Sequence, residues 1–71
     1  MNEKFDGFQV RKLRREKGLS QKQLAEMINI SNSYLCDIEV GRTNPSVATL
    51  LKIADILKVD ISAFVSKKKG D

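Results

Sequence analysis

The sequence contains no histidine and no tryptophan, and only one cysteine, one proline and one tyrosine among 71 residues. Each shortage excludes something. Without histidine the commonest general base is gone, and with it a Ser-His-Asp triad or a Cys-His pair. The single thiol, Cys36, cannot form an intrachain disulfide. One thiol also cannot supply the four ligands of a structural zinc site. No apolar run reaches about eighteen residues, the length a membrane-spanning helix needs. The opening stretch MNEKFDGFQV has no apolar segment of the kind a secretory signal carries. A free cysteine without a signal fits a reducing cytoplasm. Paired acids and a phosphate-cradling loop are also missing. The sequence therefore predicts no catalytic residue, no metal, no cofactor and no small-molecule ligand, and a small enzyme is set aside.

Size adds a constraint. A chain this short buries only about 60% of the surface its unfolded form exposes. Domains below about 70–80 residues lean on disulfides, a metal, oligomerisation or very regular helix packing. With disulfides and zinc excluded, regular helices or a partner subunit must carry the stability. What the chain does have is charge: 13 basic and 9 acidic residues, a net +4 and a pI near 9.5. That balance points to a polyanion, nucleic acid first and a membrane surface second.

Apolar residues recur at spacings of three and four, and no strand-like alternation persists. A first helix is predicted after Asp6, which forms a capping-box pattern with Gln9. Val10, Leu13, Arg14 and Lys17 share its face, and Gly18 stops it. Ser20 with Gln23 makes a second capping box, before a short helix whose inner face is Leu24, Ala25 and Ile28. Asn29, a residue tolerant of the left-handed conformation, follows it. Ser31 caps a third helix with Leu35 and Ile38 inward, ending near Gly41. Residues 41–45 form a loop. Ser46 caps a fourth helix carrying Val47, Leu50, Leu51, Ile53, Ala54, Ile56 and Leu57. That apolar set is wider than one stripe, so contacts on two sides are expected. Asp60 caps a last short helix with Ile61, Phe64 and Val65. The expected fold is all-α, a compact five-helix bundle and nothing else. It forms one domain over residues 1–71, with a core over about 8–65 and a basic, disordered tail over 66–71.

Two charges fall on inward faces. Arg14 follows Leu13 and lies four residues after Val10; Glu39 follows Ile38 and lies four after Leu35. Charges are rarely buried unless paired. Arg14 and Glu39 are therefore predicted to form an ion pair between the first and third helices.

The stretch QKQLAEMINISNSYLCDIEV carries the main functional signal. Two short helices flank a tight turn, and their apolar residues can bury one shared core if they cross steeply. Small Ala25 suits that close crossing. The second helix of the pair then turns Asn32, Ser33, Cys36, Asp37 and Val40 outward.

These residues, with Leu13-Arg14, Gly18-Leu19-Ser20-Gln21, Ile30-Ser31, Ile38-Glu39, Gly41-Arg42, Asn44-Pro45-Ser46, Leu50, Ala54, Leu57 and Val59, give the chain a family likeness. It resembles the lambda-repressor-like, Cro/cI-type (XRE) helix-turn-helix DNA-binding domains from about Phe8 to Val65. The family carries an Arg–Glu pair at the positions of Arg14 and Glu39. Three positions depart from its pattern. Asn29 replaces the usual turn glycine. Val40 stands where the family often has a polar or basic residue. Lys58 stands where the family often ends the fourth helix with glycine.

The resemblance implies a role for each exposed residue. The second helix of the motif enters the major groove with its N-terminal residues at base edges. That makes Asn32, Ser33 and Asp37 base readers, with Cys36 beside them. Asn can bond adenine in two places, Asp can accept from cytosine, and Ser is promiscuous. Gln21, at the start of the preceding helix, is expected to hold a phosphate, and Lys22 is a further phosphate candidate. Tyr34 either reaches a phosphate with its hydroxyl or covers the turn with its ring. Arg42, Thr43 and Asn44 form the loop that touches the DNA backbone. Ile61, Phe64 and Val65 either close the core over the fourth helix or are shared between two subunits, since family members commonly dimerise through this end.

The function so implied is a cytoplasmic, sequence-specific DNA-binding transcriptional regulator. It would act as a homodimer on a near-palindromic duplex, like a phage or plasmid repressor or a restriction–modification controller. The alternative from another class is a protein-interaction module of the same fold, such as an antitoxin. A basic membrane-surface peptide fails because the apolar residues are spent on several inward faces. Charge refines the picture. Residues 1–17 hold six basic and three acidic groups, residues 18–45 two and three, and residues 46–71 five and three. The reader segment is not basic, so amides, hydroxyls and Arg42 must supply its phosphate grip. A modest salt dependence is expected.

Overall fold

The computed structural model describes residues 3–67. Four α-helices form its body: α1 (Gly7–Glu16), α2 (Gln21–Met27), α3 (Asn32–Glu39) and α4 (Val47–Leu57). A single 3-10 turn, Ile61–Phe64, stands where a fifth helix was expected. The ends of the described chain form an antiparallel ribbon of β1 (Glu3–Phe5) and β2 (Val65–Lys67), with Phe5 opposite Val65. The helices sit where the sequence places them. The expectations of a fifth α-helix and of nothing but helices are corrected, and the first two residues of the expected tail fall in β2.

The physical reason lies in Phe64. It is completely buried, and its carbonyl accepts a hydrogen bond from the Asp6 amide at 2.6 Å. Asp60 makes no side-chain cap bond, so nothing anchors a longer helix there. The chain instead straightens after Phe64 and pairs with the segment leading into α1. Residues 68–71 of the expected tail lie outside the described residues.

Serine caps start three helices. Ser20, Ser31 and Ser46 accept from the amides of Gln23, Tyr34 and Thr49, each the third residue of its helix. At α2 the box is reciprocal, because Gln23 Oε1 accepts from the Ser20 amide at 2.8 Å. Asp6 caps α1 differently. It accepts from Phe8, one residue earlier than a reciprocal box with Gln9 requires. Helix exits use left-handed backbone. Gly18 and Gly41 have φ of +74° and +83°, and Asn29 and Lys58 have φ of 60° and 59°.

The core joins Val10 of α1, Leu24, Ala25 and Ile28 at α2, Leu35 and Ile38 of α3, Ile53, Ala54 and Leu57 of α4, and Phe64. Leu50 is half-buried against it. Helix α4 buries Ile53, Ala54 and Leu57 and half-buries Leu50 and Ile56. It is met by α1, by α2 and by the 3-10 turn, while Val47 and Leu51 of the expected apolar set stay 70% and 52% exposed. Helix α1 meets the end of α3 through Gly7, where any Cβ would collide with the Ile38 carbonyl. Glycine is required there by contact rather than by backbone conformation.

Candidate nucleic-acid interface

The interface is built from the α2–turn–α3 unit. Its turn is closed by backbone bonds from Asn29 to the Glu26 carbonyl, 3.2 Å, and from Ile30 to the Ala25 carbonyl, 2.9 Å. The second bond needs the left-handed Asn29, the conformation that asparagine tolerates best after glycine. Leu24 and Ala25 on α2 and Leu35 and Ile38 on α3 are buried, so both helices are pinned from behind.

The orientation of α3 is fixed by an ion pair. Arg14 Nε donates to Glu39 Oε2 at 2.7 Å and Arg14 Nη2 donates to Glu39 Oε1 at 3.0 Å. The remaining guanidinium nitrogen, Nη1, donates to the Leu19 carbonyl at 2.8 Å. Both residues are buried, and no buried polar side-chain atom among the described residues lacks a partner. A two-pronged pair of this kind sets angle as well as distance. It ties α1, the α1–α2 link and α3 into one rigid frame.

On that frame α3 presents Asn32 and Ser33, both exposed, at its first turn. Among the described residues neither side chain has a hydrogen-bond partner. One turn later come Cys36 and Asp37, both partly exposed, and then Val40, which is 58% exposed. Tyr34 is half-buried at the flank of this face. Lys22 and Asn44 are exposed, and Thr43 is half-buried. Two further site residues are already engaged. The Gln21 amide nitrogen donates to Glu39 Oε1 at 3.1 Å, which makes Gln21 part of the ion-pair network. Arg42 Nη1 meets Asp37 Oδ1 at 3.0 Å, so a base-reader candidate and a phosphate-contact candidate are paired with each other.

Two residues escaped the sequence reading. Arg11 and Arg15 of α1 line a shallow hollow with Ser20, Gln21, Cys36 and Val40. Both are exposed, and the Arg11 guanidinium lies 6.0 Å from the Phe8 ring centroid. Their four-residue spacing puts them on one side of α1, and the excess of positive charge in residues 1–17 was the available signal. At the far end Ile61 and Val65 are half-buried. Phe64 is spent entirely on the core and offers nothing to a partner subunit.

Comparisons with known proteins agree with this geometry. The profile of a family described as Helix-turn-helix matches residues 10–64. The immunity repressor protein of Bacillus phage phi105 is 45% identical over 62 residues, covering 87% of this chain and 43% of the phage protein. The chain thus spans less than half the length of that relative. Among solved structures, the restriction–modification controller protein C.AhdI from Aeromonas hydrophila superposes with a TM-score of 0.76 at 36% identity, covering 82% of this chain and 88% of that one. The biofilm master regulator SinR, in complex with DNA, gives a TM-score of 0.73 at 38% identity, covering 79% and 90%.

Proposed function

The chain belongs to the Cro/cI-type helix-turn-helix family, and we propose that it is a sequence-specific DNA-binding transcriptional regulator acting in the cytoplasm. It binds operator DNA as a homodimer, with α3 in the major groove. The observation that carries this reading is the outward first turn of α3. Asn32 and Ser33 stand exposed and unpartnered among the described residues, on a helix locked by the Arg14–Glu39 pair. A reading helix needs base-bonding groups held at a fixed angle, and this one has both. The relatives named above, a phage immunity repressor, a restriction–modification controller and a DNA-bound regulator, support the same activity.

Asn32 and Ser33 face base edges in this scheme, with Cys36 next to them. Arg42, Asn44, Lys22 and the Tyr34 hydroxyl take the flanking phosphates. Thr43 and Gln21 steady the loop and the frame. The dimer forms through the end of the domain that bears Ile61 and Val65. It sets two reader helices about 34–36 Å apart, one turn of duplex, on a near-palindromic site. Selection from random duplexes tests the reading. A two-fold motif should be enriched. Affinities differing less than about tenfold among sequences would sink it, since specific sites commonly exceed non-specific ones by about 10³ or more. Sedimentation tests the dimer; a strict monomer at tens of micromolar protein, with or without operator, removes it.

A further inference from the structure

The acidic residue on the reader face raises a physical problem. Asp37 lies four residues after Ser33 and so shares its side of α3. A bare carboxylate there would meet a polyanion and weaken binding. The structure supplies a partner. Arg42 Nη1 lies 3.0 Å from Asp37 Oδ1, and the Arg42 side chain is 73% exposed against 38% for Asp37. The arginine therefore stands outside the carboxylate, toward solvent.

The loop is folded back to make this pair. Gly41 has φ of +83°, which reverses the chain after α3. The amides of Arg42 and Thr43 then both donate to the Asp37 carbonyl, at 2.8 and 3.4 Å. Asp37 holds the loop through its backbone and the guanidinium through its side chain. Lys22 and Arg42 are the only cations in residues 18–45. A guanidinium has five N–H donors, so a bond to Asp37 leaves most of its fork free. An exposed pair of this sort contributes little to folding, so its geometry matters more for what Arg42 can reach.

We propose that Asp37 is a positioning residue. It holds Arg42 pointing outward as the phosphate-gripping group beside the reader helix, and it does not itself select a base. The inference rests on the DNA-binding reading above and changes the role that the family likeness gives to Asp37.

The competing roles predict different outcomes. If Asp37 only repels DNA, Asp37→Ala strengthens binding. If it reads a base, Asp37→Ala relaxes preference at one position of the site and leaves the salt slope alone. If it positions Arg42, Asp37→Ala weakens binding about twofold to fivefold on every sequence alike. The log–log salt slope then falls by about 0.9, the share of one phosphate contact. The test measures affinity for the selected operator and for scrambled duplexes at several salt concentrations. The proteins are wild type, Asp37→Ala, Arg42→Ala and the double variant. We expect the Asp37→Ala loss to vanish in the Arg42→Ala background. Stronger or unchanged binding by Asp37→Ala, a changed preference at one base pair, or a loss that persists without Arg42 would each overturn the proposal. A wild type that binds no duplex defeats the regulator reading itself, and the wild-type arm shows that failure separately.

Discussion

Arg14 and Glu39, 25 residues apart in sequence, meet in the interior through two hydrogen bonds of 2.7 and 3.0 Å, with side chains only 9% and 1% exposed. Breaking such a pair strands a buried charge. Glu39→Gln should therefore cost about 3–5 kcal/mol of stability. In a domain this small each kcal/mol moves the melting temperature by about 4–8 °C. Chemical denaturation checks the value; an unchanged midpoint would show that the pair contributes nothing. Replacing both partners, Arg14→Met with Glu39→Leu, should cost less than Glu39→Gln alone, because no charge is left behind.

Gly7 sets a steric limit. A Cβ at that position collides with the Ile38 carbonyl, which is backbone and cannot swing aside. Gly7→Ala should destabilise by about 1–3 kcal/mol, the usual cost of overpacking, even though alanine is the better helix former. Stability equal to or above wild type would mean that α1 and α3 separate easily.

Lys58 should respond in the opposite direction. Its φ of 59° strains any residue with a Cβ. Lys58→Gly relieves about 1 kcal/mol of left-handed strain and gives part of it back in unfolded-chain entropy. A net gain of about 0.5 kcal/mol is expected. Asn29→Gly should change less, since asparagine already tolerates φ of 60°. Urea melts of both variants decide the order.

The helices and the ion pair were legible in the sequence for identifiable reasons. Ser20, Ser31 and Ser46 are strong local caps, and each starts a helix where it stands. Arg14 and Glu39 are charges at positions whose helical neighbours must be buried, which leaves pairing as the solution. The misses are non-local. Nothing near Val65 announces that it pairs with Phe5, 60 residues earlier, because the ribbon depends on where Phe64 is buried. Helix α4 was expected to have contacts on two sides and meets α1, α2 and the 3-10 turn, but apolar content does not say where those contacts end, and Val47 and Leu51 remain exposed. The Arg42–Asp37 pair depends on a chain reversal at Gly41 that spacing alone does not reveal.

That exposure carries its own expectation. Leu51→Ser should shift stability by no more than about 0.5 kcal/mol, as for a surface site. Ile53→Ala, two residues on and fully buried, should cost about 2–5 kcal/mol. Equal losses at the two positions would mean that a partner covers the outer face of α4.

DNA recognition by this domain depends on whether the first turn of α3 reads bases. The most direct measurement is the affinity of wild type and Asn32→Ala for the selected operator and for every single-base-pair change in it. We predict that Asn32→Ala loses about 1–3 kcal/mol on the operator, relaxes the preference at one base pair per half-site, and binds non-specific duplex as wild type does. An unchanged preference at every position would contradict the placement of α3 in the major groove.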